Sequence, residues 1–301
     1  MPASSKVLRA RIKSVKNTRK ITKAMELVAA SKMRKAVTLA LKTRDYANSL
    51  QTLVKTLAEL GGELTALTTT PAKARKNLAV VLSADRGLAG GLNVNLARYA
   101  LKVMQSDTGL ESWEVIGVGK KGSDLIARAG VNLIAKFPAL TTKSTPEEIY
   151  PIAKEISRLF LSGDYQTVTV FYTEYRSGLS QIPSSNQLLP LRINLDHQTT
   201  AITAITAITS THATHMPILE PSASALLAEL APLLVEDRLW HLLLEAAASE
   251  QAARMMAMRN ATDAANEMAQ SLSFSYNQAR QASITQEIAE ISGGKAALEA
   301  V

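Results

Sequence analysis

The chain has 301 residues, of which 47% are apolar and only 4% aromatic, and its net charge is +8. No run of eighteen apolar residues occurs, so no membrane-spanning helix is predicted. Cysteine is absent, which excludes disulfides, thiolate metal ligands and thiol redox control. The first ten residues lack the apolar stretch of a signal peptide and lead straight into a helical pattern, leaving no room for a removable transit segment. The expected location is therefore the cytosol, or the cytosolic face of a larger assembly.

Charge is unevenly placed. Met1 to Arg44 holds thirteen Lys or Arg and one acidic residue, Glu26. A solvated helix face is the plainest account. Nucleic acid or an acidic protein surface are the functional ones. The cations fall on nearly every side of a helix, which points to something that surrounds it.

The first element is a helix without Pro or Gly from Ala3 to Gly61, roughly 80 Å long at 1.5 Å per residue. Thr18, Thr22, Met25, Ala29, Lys32, Ala36, Leu39, Thr43, Tyr46, Leu50, Leu53, Leu57 and Leu60 alternate by threes and fours, the seam of a coiled coil. Gly61-Gly62 and the Thr-rich run to Pro71 break it. The pattern then changes. Leu78–Ser83, Trp113–Val118, Val131–Phe137 and Thr167–Tyr175 read as strands, with a weaker one over Gln187–Ile193. Asn93–Gln105 and Gly122–Ala129 read as helices. A third helix runs from Pro146 to about Leu161, with Thr145 as its cap. Strands alternating with helices predict a mainly parallel sheet covered by helices.

Asp196–His215 carries three copies of a Thr-Ala-Ile triplet. A period of three fits neither helix nor strand, so this is a low-complexity loop or a ragged hairpin extension. A helix reopens after Glu220-Pro221-Ser222, is expected to kink at Pro232, and should stop at Ser292-Gly293-Gly294. Within it Met255, Met258, Thr262, Ala265, Ala269, Leu272, Tyr276, Ala279 and Ser283 form a second seam, mostly of small residues. A seam so poor in apolar area needs a long partner, and the first helix offers one. The predicted fold is α+α/β: an antiparallel coiled coil of the N- and C-terminal helices (1–62 and 220–292) with a Rossmann-like α/β domain (75–195) and a variable loop (196–217) inserted between.

No catalytic constellation is legible. Gly117-Val118-Gly119-Lys120-Lys121-Gly122 spells the dinucleotide-binding turn, yet the acidic residue about 20 positions on is missing; a tight strand-to-helix turn is the better reading. Asp85-Arg86-Gly87-Leu88-Ala89-Gly90-Gly91 lacks the Gly-Lys-Ser/Thr ending of a phosphate-binding loop. His212 and His215 are spaced like a metal pair with nothing to complete it. His197 and His241 stand alone. Glu147-Glu148 suits a first helical turn and not an acid–base pair. Catalytic, cofactor-binding and metal-ligating residues are all expected to be absent.

Two stretches closely resemble the gamma subunit of F-type rotary ATP synthases: Ile12–Lys35, and Ala252–Ile291 with ATDAANEM and YNQARQASITQEIAEI at its core. DRGLAGGLN (Asp85–Asn93) is a third match, although the family commonly has Cys where this chain has Ala89. The resemblance implies a central rotor shaft threading a ring of alternating alpha and beta subunits, with its foot beside epsilon on the membrane c-ring. Proton or sodium flow would turn it, and the shaft would push each beta subunit through its conformations. It also implies that Met25 and Lys23 pass the acidic levers of beta. Arg280, Gln281 and Thr285 would hydrogen-bond a beta loop, and Glu220 would lie near the c-ring and epsilon foot. Membrane contact would be indirect, on the cytoplasmic face of a bacterial plasma membrane. A thiol switch, which some relatives carry near the 196–215 loop, is excluded here by the lack of Cys. The competing readings are a basic coiled-coil nucleic-acid-binding protein and a nucleotide-cofactor enzyme built on the middle domain.

Overall fold

The computed structural model describes residues 5–60, 66–72, 74–141, 144–191 and 219–299. The Gly61-Gly62 break, the Thr-Ala-Ile loop, His197, His212 and His215 lie outside them. The chain divides into two compact units, one drawn from the stretches 1–31 and 254–301, the other from 32–253.

The larger unit is built on a five-stranded sheet. Its strands are β1 (Lys76–Leu82), β2 (Trp113–Val118), β3 (Asn132–Phe137), β4 (Tyr165–Tyr175) and β5 (Gln181–Leu189), in the order β3-β2-β1-β4-β5. The first four are parallel; β5 pairs antiparallel with β4. Between strands lie helices α2 (Leu92–Asp107), α3 (Lys120–Arg128) and α4 (Tyr150–Leu161). Both faces of the central strands are covered, which is why β1 reads as an unbroken apolar run instead of an alternation. Leu78, Val80 and Leu82 face one core with Ile156 and Phe160 of α4. Ala79 and Val81 face the other with Leu96 and Met104 of α2. Phe171 of β4 meets Trp113 edge-on in that second core, ring centroids 6.1 Å apart, a favoured aromatic geometry.

Two long helices complete the chain: α1 (Ser5–Glu59) and α5 (Ala223–Glu299). In the larger unit Leu50, Val54 and Leu57 of α1 and Leu227, Leu234, Leu239 and Leu243 of α5 enter the first sheet core. Ser222 opens α5, its hydroxyl accepting the Ala225 N–H at 3.2 Å, the usual satisfaction of an orphan N-terminal donor.

Several expectations are corrected. One of the two α1 registers is displaced by a residue over part of its length. The positions Thr22, Ala29, Ala36, Thr43, Leu50 and Leu57 do turn inward, and Met25 and Leu39 are half-buried, but Thr18 and Lys32 are exposed and Met33, Ala40, Ala47 and Val54 turn inward beside the predicted line. Tyr46 and Leu53, predicted in the seam, are 59% and 55% exposed. The α5 seam ends at Ala279, because Ser283 is exposed. The helix does not stop at Gly293-Gly294 but continues to Glu299; Gly293 lacks the left-handed backbone that a glycine stop requires. β5 begins six residues before its predicted start and ends at Leu189. Pro146–Ile149 is a 3-10 turn ahead of α4, and Thr145 makes no side-chain cap bond. Its hydroxyl bonds the Glu147 carboxylate, which lowers the Glu147 pKa.

At the amino ends of the strands one carboxylate gathers four of them. Glu114 of β2 accepts from Lys76 of β1 at 2.8 Å, from the Tyr165 hydroxyl of β4 and from Asn132 of β3. The Lys76 bond is the first cause, and the Tyr165 bond the second, of a Glu114 pKa held below the ordinary carboxylate value.

Candidate functional site

In the smaller unit the two chain ends pair. Thr22 and Thr262 meet hydroxyl to hydroxyl at 2.8 Å, and Thr22 donates to the Arg19 carbonyl at 3.1 Å. One turn away Arg19 reaches the Asn266 side-chain oxygen at 3.4 Å. Residue numbers fall along α1 as they rise along α5, so the helices are antiparallel. The buried seam residues are Leu8 and Ala29 from α1 and Met258, Ala265 and Ala269 from α5. Alanines let the backbones approach closely, and a hydroxyl pair at the centre disfavours a slip of one turn, which would strand it against apolar atoms.

That register brings the start of α1 opposite about Ala279. Beyond it α5 has no partner among the described residues, and every residue from Arg280 to Gly293 is exposed. Arg280, Gln281 and Thr285 all lie on this extension. Lys23 and Met25 lie on α1, roughly 30 Å back along the shaft by helical rise. Met25 is half-buried. Lys23 is exposed and bridges Glu26 at 3.0 Å, so the one acid of the basic arm is already engaged. Glu220 belongs to the other unit and is exposed just before α5. The six residues therefore do not converge on a pocket; they are strung along surfaces.

One feature was not read from the sequence. Ile284, Ile288 and Ile291 form an exposed apolar stripe on the unpaired end of α5, and Ile291 is 74% exposed. Their spacing of four and three was the available signal, hidden because they fall outside the seam. On α1, Ile21, Leu27 and Val28 are likewise exposed. Apolar side chains displayed at helical spacing mark surfaces that another protein covers.

The two glycine clusters dock on each other. The first-turn N–H groups of α3 are all taken: Lys120 donates to Asp85 Oδ1 at 2.9 Å, Lys121 to the Ala84 carbonyl at 2.9 Å and Gly122 to Ser83 Oγ at 3.0 Å. These are the donors a dinucleotide turn would offer to a pyrophosphate. Gly119, at φ +90°, and Gly122 have no room for a Cβ against Ser83. The glycines therefore serve close contact with the end of β1. The crevice at the carboxyl ends of β1 and β2, where such sheets bind ligands, is closed on one side by Leu243, Ala246, Ala247 and Glu250 of α5. Among the described residues no group of three His, Cys, Asp or Glu could hold a metal.

The ATP synthase family model matches residues 4–298. The chain belongs to the ATP synthase gamma-chain family. It is 40% identical to the ATP synthase gamma chain of Roseiflexus castenholzii over 98% of both chains. To that of Chloroherpeton thalassium it is 35% identical over 99% of both. In fold it is similar to a chain in the cryo-EM structure of Euglena gracilis mitochondrial ATP synthase, with a TM-score of 0.67, 18% identity, and coverage of 98% of this chain and 95% of that one. The nucleic-acid reading finds no support: the basic arm lies in a chain of the ATP synthase gamma-chain family. No described helix is long and apolar enough to cross a membrane.

Proposed function

We propose that this chain is the rotating shaft that couples c-ring rotation to the conformational cycle of catalytic beta subunits, and that it makes and breaks no bonds itself. The observation that carries the reading is the antiparallel pairing of the two chain ends through Thr22 and Thr262, with α5 running on unpaired past Ala279. A shaft that enters a sleeve needs a stiff body and a protruding tip, and this unit has both.

The parts then take distinct roles. The alpha3beta3 sleeve surrounds the basic arm, its acidic levers facing Met25 and Lys23. Arg280, Gln281 and Thr285 bond a beta loop, and the isoleucine stripe of the tip rides against apolar sleeve residues. The α/β domain and Glu220 form the foot, which sits on epsilon and the c-ring. The chain works at the cytoplasmic face of a bacterial plasma membrane, held there through its partners. No cofactor is required.

The test is reconstitution. The purified chain alone should hydrolyse no ATP, and its addition should raise the turnover of an alpha-beta hexamer. A hexamer indifferent to it, or salt-sensitive DNA binding in its place, would overturn the reading.

A further inference from the structure

At the carboxyl edge of the sheet the chain leaves β1 on one side, towards β2, and returns on the other side as β4. β1 pairs with β4 only as far as Val81 and Phe171, whereas β4 runs on to Tyr175. A crevice opens where the two strands part, the place at which open α/β sheets take ligands. α5 lies across it with Leu243, Ala246, Ala247 and Glu250. Two of these are alanines, too short to fill the crevice, and a cavity of about 20 Å³ remains. A single water needs about 10–15 Å³, so the cavity admits a water and excludes a cofactor.

The polar side chains in its walls differ in how they are satisfied. Ser83 Oγ accepts the Gly122 N–H at 3.0 Å and donates to the Gly119 and Val118 carbonyls at 3.1 and 3.2 Å. Thr173 of β4 lines the same cavity and is 2% exposed. Its hydroxyl is buried without a hydrogen-bond partner among the described residues. An unpaired buried hydroxyl is destabilising, and folded proteins satisfy such groups with ordered water. The Glu250 carboxylate lines the cavity from α5. Its two oxygens can accept several bonds at once, so the Gln251 amide at 3.5 Å leaves room for another donor.

We propose that this cavity is a hydration site for one water molecule. The Thr173 hydroxyl donates to the water, and the water donates to the Glu250 carboxylate. Such a chain of bonds aligns its dipoles head to tail, each strengthening the next. The water fastens α5 to β4 at the point where the side chains of α5 are too short to pack. The site belongs to the larger unit alone and is independent of the shaft reading.

A structure of the complete complex, at a resolution that shows waters, should hold one within about 3.0 Å of both Thr173 Oγ1 and a Glu250 oxygen. Density bonded to neither group, or to one alone, would overturn the proposal. Melting of the purified full chain supplies an independent sign. Thr173→Val keeps the side-chain shape and removes the hydroxyl. It should melt a few degrees below the parent, because the water loses its anchor. A hydroxyl stranded in a dry cavity would give the opposite, since its removal relieves the fold; an unchanged or higher melting temperature would therefore sink the idea. Magnetic relaxation dispersion of the solvent, which counts long-lived internal waters, should find one fewer in Thr173→Val than in the parent. Ala247→Val places added methyls in the cavity and should lose the same water, and the double variant should lose no second one. Equal counts in the parent and Ala247→Val would overturn the site even where Thr173→Val fails to fold.

Discussion

At the scale of single residues, two carboxylates of the larger unit pull in opposite directions. Glu114 is bonded by Lys76 and Tyr165, and its pKa is lowered. The folded form then prefers the charged group, so its contribution is present above the unfolded carboxylate value and is lost as pH falls through the depressed one. Glu114→Gln should therefore lower the melting temperature at pH 7 and flatten its fall between pH 5 and pH 3, as followed by circular dichroism. Glu245 on α5 is the reverse case. Burial, and then the nearby Glu174, raise its pKa, and its Oε2 is buried without a hydrogen-bond partner among the described residues. Here the folded form prefers the neutral acid, so stability is greatest below the unfolded value and declines as pH rises through the raised one. Glu245→Gln should stabilise the chain at pH 7.5 by about 1 kcal/mol, with little gain at pH 4. A gain independent of pH would rule out this origin.

At the scale of elements, the central question is which side chains hold the two ends together. Thr22 and Thr262 supply a direct check, since the sequence has no cysteine to confuse it. Thr22→Cys combined with Thr262→Cys should form a disulfide under mild oxidation, seen as a mobility shift on a non-reducing gel. A pair moved one turn along α5, Thr22→Cys with Asn266→Cys, should react far more slowly. Equal reactivity of the two pairs would mean the register is not fixed. Ala29 is 1% exposed, and Ala29→Leu should overpack the seam at a cost of about 1–3 kcal/mol, read as an earlier loss of helix on heating.

The same scale shows what the residues announced and what they concealed. β1 and β2 were legible because each is a short apolar run followed by a glycine-bearing turn. The coiled coil was legible from spacing, and the α5 seam held as far as Ala279. Tyr46 and Leu53 were misplaced because with Leu39 and Leu60 they complete a leucine-like heptad, whereas the side chains that turn inward include the smaller Ala40 and Ala47. β5 was placed late because its start, Gln181–Asn186, is polar and contains Pro183; an edge strand tolerates both. The proposed contact residues came only from family likeness. An exposed arginine such as Arg280 looks like any solvated helix charge until the missing partner opposite it is seen.

At the scale of the whole molecule, Arg280–Gly293 of α5 contributes nothing visible to the packing of the described residues, since it is exposed throughout. A chain ending at Ala279 should melt as the full-length one does. In a reconstituted complex it should support less ATP synthesis, and Arg280→Ala with Gln281→Ala should reproduce part of that deficit. Full ATP synthesis by both would show that the tip carries no load.

The smaller unit also has a consequence for biogenesis. Its two segments are separated in sequence by everything from Lys32 to Ala253, which is made between them. Thr22 waits for Thr262 while the intervening chain is made, its small seam open to water and to any nascent neighbour. Closing so long a loop is entropically only slightly dearer than closing a short one, but it is late. The paired shaft can form only after Thr262 has been made.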